Sequence, residues 1–234
     1  LKITILETGA PPPSLLPRFG PYPDMFRRLL GSDYVGDSYD VTKGFLPADP
    51  QNHPAYLITG SAAGAHDDLP WIPKLKQFLR ESKGKARLIG ICFGHQIMAE
   101  AFGGRVLKSD KGWGIGLQEY RLFEHASWMD KGGDRIRMPI SHQDQVVETP
   151  PCSTVLAGSD FCDIGSLRYD DQPAISFQFH PEFDLEYAAA LIEVRRDQLN
   201  GADTAIRSLQ GPNDRNRVAG WIKGFLDDRN GTPL

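Results

Sequence analysis

An α/β fold, three layers thick with a mostly parallel central sheet, is predicted by three observations on this 234-residue chain. Short apolar runs suited to buried strands alternate in the first half with segments whose apolar residues recur at helical spacing. The middle, from about 105 to 179, carries several short strand signals with no long helix between them, as hairpins or sheet extensions beside a parallel core would. Two helical patterns close the chain, and all of it, 1–234, reads as a single domain.

Taken in order, LKITILETG at 1–9 reads as a buried strand ending in a glycine turn. The prolines of 11–23 lack amide donors and restrict their neighbours, so no regular structure is expected there. DMFRRLL at 24–30 predicts a short helix capped by Asp24 and stopped by Gly31, and a strand is expected around 38–41. AYLITG at 55–60 is a second strong strand, followed by the loop SAAGAHDDLP. Trp71, Ile72, Leu75, Phe78 and Leu79 then mark a helix. ARLIGICFGHQIMAEAFGG at 86–104 reads as an apolar strand, a sharp turn around Cys92 and a helix closing on Gly103-Gly104. Short strands are expected at 105–107, 116–122, 135–138, 145–148, 155–157, 164–169 and 174–179, and helices at about 184–200 and 216–228.

Composition removes several function classes. With 26 basic and 30 acidic residues, interspersed, the net charge is −4, and no basic footprint for nucleic acid stands out. The pairs Arg27-Arg28 and Arg195-Arg196 read as solvated helix faces. Three cysteines without a C-x-x-C pair suggest neither a disulfide scaffold nor a zinc knuckle. No apolar run reaches the roughly 20 residues of a membrane span, so a cytoplasmic protein is expected, although Leu1 in place of Met suggests residues upstream. His66-Asp67-Asp68 reads as a solvated loop, and no histidines cluster at metal-ligand spacing.

The chemistry concentrates at GICFGHQ, 90–96. In G-x-C-x-G at a strand-to-helix junction, small flanking residues permit a strained turn that lifts the nucleophile into the open. A helix N-terminus there stabilises a thiolate, and its free amides form an anion hole to which the Phe93 amide belongs. A second donor is expected at Gly60-Ser61. Cys152 and Cys162 lack such a setting. A cysteine nucleophile needs an imidazole held by a carboxylate, and FQFHPEF at 177–183 supplies His180 and Glu182 on one stiff turn. Chain order separates this set from α/β hydrolases, whose histidine comes last.

These pieces resemble the class I glutamine amidotransferases, which carry a Cys-His-Glu triad in this order: ITG at 58–60, GICFGHQIMAEAFGG at 90–104, PISHQDQV at 139–146 and FQFHPEF at 177–183. The resemblance implies a flavodoxin-like fold, with Cys92 attacking a glutamine or γ-glutamyl carbonyl, His180 shuttling the proton and Glu182 orienting it. It further implies an oxyanion hole at the backbones of Gly60 and Phe93, and glutamine contacts from Ser61, Gln96, Ser141 and His142. No metal or cofactor is needed. The loop GSAAGAHDDLPWI departs from the Gly-Gly-Pro common near the GMP synthases and is similar instead to a stand-alone branch that includes plant γ-glutamyl peptidases. The expected activity is therefore cysteine-dependent hydrolysis of a γ-glutamyl amide or peptide bond. The alternatives are a glutaminase subunit feeding ammonia to a separate synthetase, γ-glutamyl transfer to an amine, or a silent binding protein on the same scaffold, which the intact triad disfavours.

Overall fold

The structure, a computed structural model, describes residues 1–228. Its first half runs β1 (Ile3–Glu7), α1 (Leu16–Phe19), α2 (Tyr22–Leu30), β2 (Val35–Asp40), β3 (Ala55–Ile58), α3 (Trp71–Glu81), β4 (Arg87–Ile91) and α4 (Phe93–Ala101). The middle contributes β5 (Arg105–Lys108), β6 (Gly114–Leu122), β7 (Arg135–His142), β8 (Asp144–Glu148), β9 (Ser153–Gly158), β10 (Ser166–Tyr169) and β11 (Ala174–Phe177). Helices α5 (Leu185–Val194), α6 (Ala202–Ser208) and α7 (Arg215–Asp227) follow.

Nine strands form one sheet in the order β2-β1-β3-β4-β11-β10-β9-β6-β7. The first five run parallel to one another, and the pairings from β11–β10 through to β6–β7 are antiparallel. β5 and β8 pair separately as a two-stranded ribbon.

Strand alternation explains the apolar runs. Ile3, Ile5, Leu57, Ile89 and Ile91 share one cluster with Phe26 and Leu30 of α2 and Val218, Trp221 and Phe225 of α7. Leu6, Tyr56, Ile58 and Leu88 face the other way, onto Leu75 and Leu79 of α3 and Ile97 and Met98 of α4. A strand buried on both faces has no solvent side for polar residues, so it reads as continuous hydrophobe. Helices on both faces make the three expected layers.

Two local expectations fail for identifiable reasons. Residues 11–23 are not wholly irregular: each of α1 and α2 has a proline at its first or second position, where the missing amide had no intrahelical partner to lose. Accordingly α2 begins at Tyr22 with Pro21, not Asp24, at its N-cap. The helix expected over 184–200 stops at Val194, and α6 has no counterpart among the expected elements. A 3₁₀ turn at Arg196–Gln198 and Gly201, at φ 76°, redirect the chain into α6. Asp184 does cap α5, its Oδ1 accepting the Tyr187 amide at 2.7 Å.

Candidate active site

The site assembles at the carboxyl ends of β3, β4 and β11, the end of a parallel sheet where α/β proteins place ligands. β4 runs straight into α4 through a single residue, Cys92, at φ 53° and ψ −102°. That backbone is one L-residues seldom adopt and costs on the order of 1–3 kcal/mol. The two flanking glycines make it feasible. A Cβ on Gly94 would lie 2.3 Å from the Ile58 carbonyl oxygen, and one on Gly90 would lie 2.5 Å from that of Gly94, so only hydrogen fits between helix and strands. The Cys92 amide donates to Phe177 O at 2.8 Å, tying the turn to β11. No side chain caps α4, which leaves its first amides, Phe93 onward, free to meet an anion.

His180 follows β11 and is drawn beside β7 by its amide, which donates to Pro139 O at 2.9 Å. Its ring stacks on Phe183 at 3.8 Å and 8°. Nδ1–H donates to Glu182 Oε1 at 2.8 Å, and both side chains are almost wholly buried, at 4% and 1% exposure. The carboxylate can only accept, which fixes that tautomer and leaves Nε2 as the nitrogen available for proton transfer. Nε2 has no hydrogen-bond partner among the described residues. Burial opposes a charge on the imidazole, but the Glu182 carboxylate and the Cys92 thiolate outweigh it, and the net shift of the His180 pKa is upward. Gly60 closes the group: a Cβ there would stand 3.1 Å from His180 Cε1 and 3.8 Å from Cys92 Cβ. From α7, Arg215 Nε braces the turn by donating to Pro181 O at 2.8 Å.

Cys92 opens into a cleft of about 540 Å³ whose lining includes Ser61, Gln96, Ser141 and His142, all four residues expected to meet the substrate. Ser61 Oγ accepts the Ala63 amide at 3.1 Å and shapes its loop. Gln96 Nε2 donates to Asp144 O at 2.8 Å and Gln178 Oε1 at 3.2 Å. His142 Nδ1 donates to Asp144 O at 3.1 Å, and burial pulls its pKa down to about 3, so the ring is neutral with an unpartnered Nε2 acceptor. Gly60, Phe93, His180 and Glu182 are absent from the lining, and the Phe93 ring packs on Trp71 at 5.4 Å.

The lining also holds residues outside the expected set, among them Asp67, Lys108, Trp113, Asp144 and Arg195. Asp144 sits within PISHQDQV, so the motif itself carried the signal. Arg195 corrects the solvated-face reading of the pair 195–196. Arg196 does occupy that face, paired with Glu193 and Asp203, whereas Arg195 Nη1 turns inward and donates to Ser141 Oγ at 3.3 Å. The remaining candidates are structural. His95 is buried between Ser176 Oγ and Ile164 O, its pKa pulled to about 4 by desolvation, and the buried Cys162 thiol is pushed to about 12. Among the described residues, no three His, Cys, Asp or Glu side chains are arranged to hold a metal, and no helix is long and apolar enough to cross a membrane.

Comparison with known proteins places this geometry among relatives. The model of the family "Glutamine amidotransferase class-I" matches residues 56–193, from β3 into α5. A glutamine amidotransferase-like protein of Schizosaccharomyces pombe is 31% identical over 96% of this chain and 98% of its own. "Gamma-glutamyl peptidase 2" of Arabidopsis thaliana is 29% identical over 90% of each chain. One subunit of the glutamine-hydrolysing GMP synthase of Methanopyrus kandleri is 34% identical over 50% of this chain and 64% of its own. Among solved structures, a glutamine amidotransferase from Thermotoga maritima shares the fold with a TM-score of 0.78 at 18% identity, covering 97% of this chain and 99% of that one.

Proposed function

The chain belongs to the class-I glutamine amidotransferase family and is an enzyme of the amidotransferase and hydrolase kind, and from that premise we propose that it hydrolyses a γ-glutamyl amide or peptide bond through a thioester on Cys92. The observation that carries the reading is that Cys92, which lines the cleft from a strained helix-capping turn, shares the close neighbour Gly60 with a carboxylate-held histidine.

The steps follow from the groups present. The Cys92 thiolate attacks the side-chain carbonyl of the γ-glutamyl group, and the oxyanion is met by the amides of Phe93 and Gly60. His180 delivers its Nε2 proton to the departing nitrogen, so the C–N bond breaks and a γ-glutamyl thioester remains. Water, deprotonated by the same Nε2, then releases glutamate and restores the thiol. Glu182 keeps the tautomer and compensates the imidazolium charge through both halves. Ser61, Gln96, Ser141 and His142 hold the glutamyl body, and no step calls for a metal or cofactor.

A stand-alone hydrolase is favoured over an ammonia-supplying protein by the span of the resemblances. The peptidase relative parallels this chain over 90% of both, while the synthase relative parallels half of it. The test offers the purified protein glutamine and a panel of γ-glutamyl peptides, with products read by mass spectrometry and Cys92→Ala as control. Peptide cleavage that drops by about 10⁴-fold or more in the variant is expected. Glutamine turnover with silence on every peptide would instead support ammonia delivery to a separate synthetase, and Cys92-independent turnover would end the assignment.

A further inference from the structure

The cleft extends beyond what a glutamyl group needs, and its lining carries both signs of charge: Asp67 and Asp144, Lys108 and Arg195. The two carboxylates lie together: Asp67 accepts the Gly64 amide at 2.8 Å, and Asp144 Oδ2 lies 3.1 Å from where a Gly64 Cβ would be, with Lys108 opposite Asp144 in the β5–β8 ribbon. These carboxylates suit the ammonium of a γ-glutamyl group. The same lining holds Arg195, just past the last residue of α5, together with Trp113, Val194 and Gln198.

Arg195 is poorly matched within the protein. Its described polar partner is the Ser141 hydroxyl at 3.3 Å, and its guanidinium lies 5.7 Å from the centre of the Trp113 ring. Among the described residues it has no carboxylate within ion-pair distance, whereas its neighbour Arg196 has two. A guanidinium carries five donors in a rigid fork suited to a carboxylate, so most of that capacity is open. Trp113 and Val194 are also exposed large hydrophobic side chains, at 38% and 48%, which sets an apolar surface beside the charge.

Topology bears on the role of Arg195. Cys92 ends β4, which lies between β3 and β11, so the loop after β3 and the elements after β11 flank the nucleophile on opposite sides. His180 and α5 both follow β11. The His180 amide meets β7 at Pro139, and Arg195 meets the same strand at Ser141. In the proposed mechanism the proton of His180 goes to the leaving nitrogen, and Arg195 is the cleft's cation that, like His180, follows β11 and contacts β7. We propose that Arg195 and Trp113 form a leaving-group subsite selecting an amino-acid or short-peptide leaving group with a free carboxylate, which the guanidinium binds while Trp113 covers its side chain. This rests on the hydrolase reading above and specifies its substrate class.

The experiment compares kcat/KM for γ-glutamyl-phenylalanine and γ-glutamyl-phenylalanyl-glycine with their C-terminal amides, in wild type, Arg195→Gln, Arg195→Lys and Trp113→Ala, with glutamine as a further substrate. In wild type the free acids are preferred at one or both lengths. Arg195→Gln lowers that acid-to-amide ratio roughly 10- to 100-fold, mainly through KM, and Arg195→Lys restores part of it. Trp113→Ala weakens acid and amide together, leaving the ratio in place. A ratio near one in wild type, or one that Arg195→Gln leaves unchanged, overturns the subsite while hydrolysis itself stands. Equal losses on acids, amides and glutamine overturn it too, because Arg195 would then hold the glutamyl carboxylate. No Cys92-dependent turnover of any γ-glutamyl compound removes the hydrolase reading and the subsite with it.

Discussion

His180 and Glu182 stand two positions apart, and their hydrogen bond is sealed from water beneath the stacked Phe183 ring. In that setting the carboxylate acts mainly on the charge state of its neighbour: it holds the His180 pKa up against a burial penalty that would lower it. Replacing Glu182 by Gln keeps a hydrogen-bond partner and removes the charge. The alkaline limb of the pH dependence of kcat/KM, which reports loss of the imidazolium, should therefore move to lower pH in Glu182→Gln, with turnover down roughly 10²- to 10⁴-fold. An alkaline limb that stays in place would show that another group governs it.

At the scale of elements, the β4–α4 junction depends on the absence of two side chains. In Gly94→Ala the new methyl would collide with the Ile58 carbonyl, a backbone atom that cannot swing aside. A cost of about 1–3 kcal/mol is expected, which for a chain of this size lowers Tm by roughly 2–12 °C. Gly133, with open space around it, serves as the control and should tolerate Ala without a change in Tm. The sequence made this junction legible because G-x-C-x-G between an apolar strand and a helix leaves few other structures open, and FQFHPEF was legible because its histidine and carboxylate share a turn. Arg195 was not, since periodicity assigns a residue to a helix face only while the helix lasts, and α5 ends at Val194. α6 was missed because it is short, and its left-handed Gly201 follows directly on the expected end of the long helix near 200. Prolines 17 and 23 were read as breakers because, without a known start, a proline in the first turn looks like one anywhere else.

For the molecule as a whole, the buried histidines set the acid side of stability. His95 and His142 are held neutral in the fold, with pKa values pulled to about 4 and about 3, against roughly 6.5 in the unfolded chain. Their contribution is complete above pH 6.5 and is lost as pH falls through the folded values, because the unfolded chain takes up the protons first. His95 alone accounts for roughly 3 kcal/mol across that window. The urea midpoint should therefore fall steadily from pH 6.5 to 4, and His95→Gln should lose stability at pH 7 while flattening that slope. His180 has the opposite sign: its raised pKa contributes fully below pH 6.5 and is lost only on the alkaline side. An acid limb as steep in the variant as in wild type would mean that carboxylates, not His95, control it. In the pairing of β4 with β11, Ile91, next to Cys92, stands opposite Phe177, three residues before His180, so the proposed nucleophile and base leave the sheet from adjacent strands. The separation of those two groups is inherited from the repeat of the sheet, so the rim loops can diverge without disturbing it. A lineage built on this scaffold is free to explore new substrates by altering residues such as Trp113 and Arg195, while its bond-breaking machinery travels unchanged.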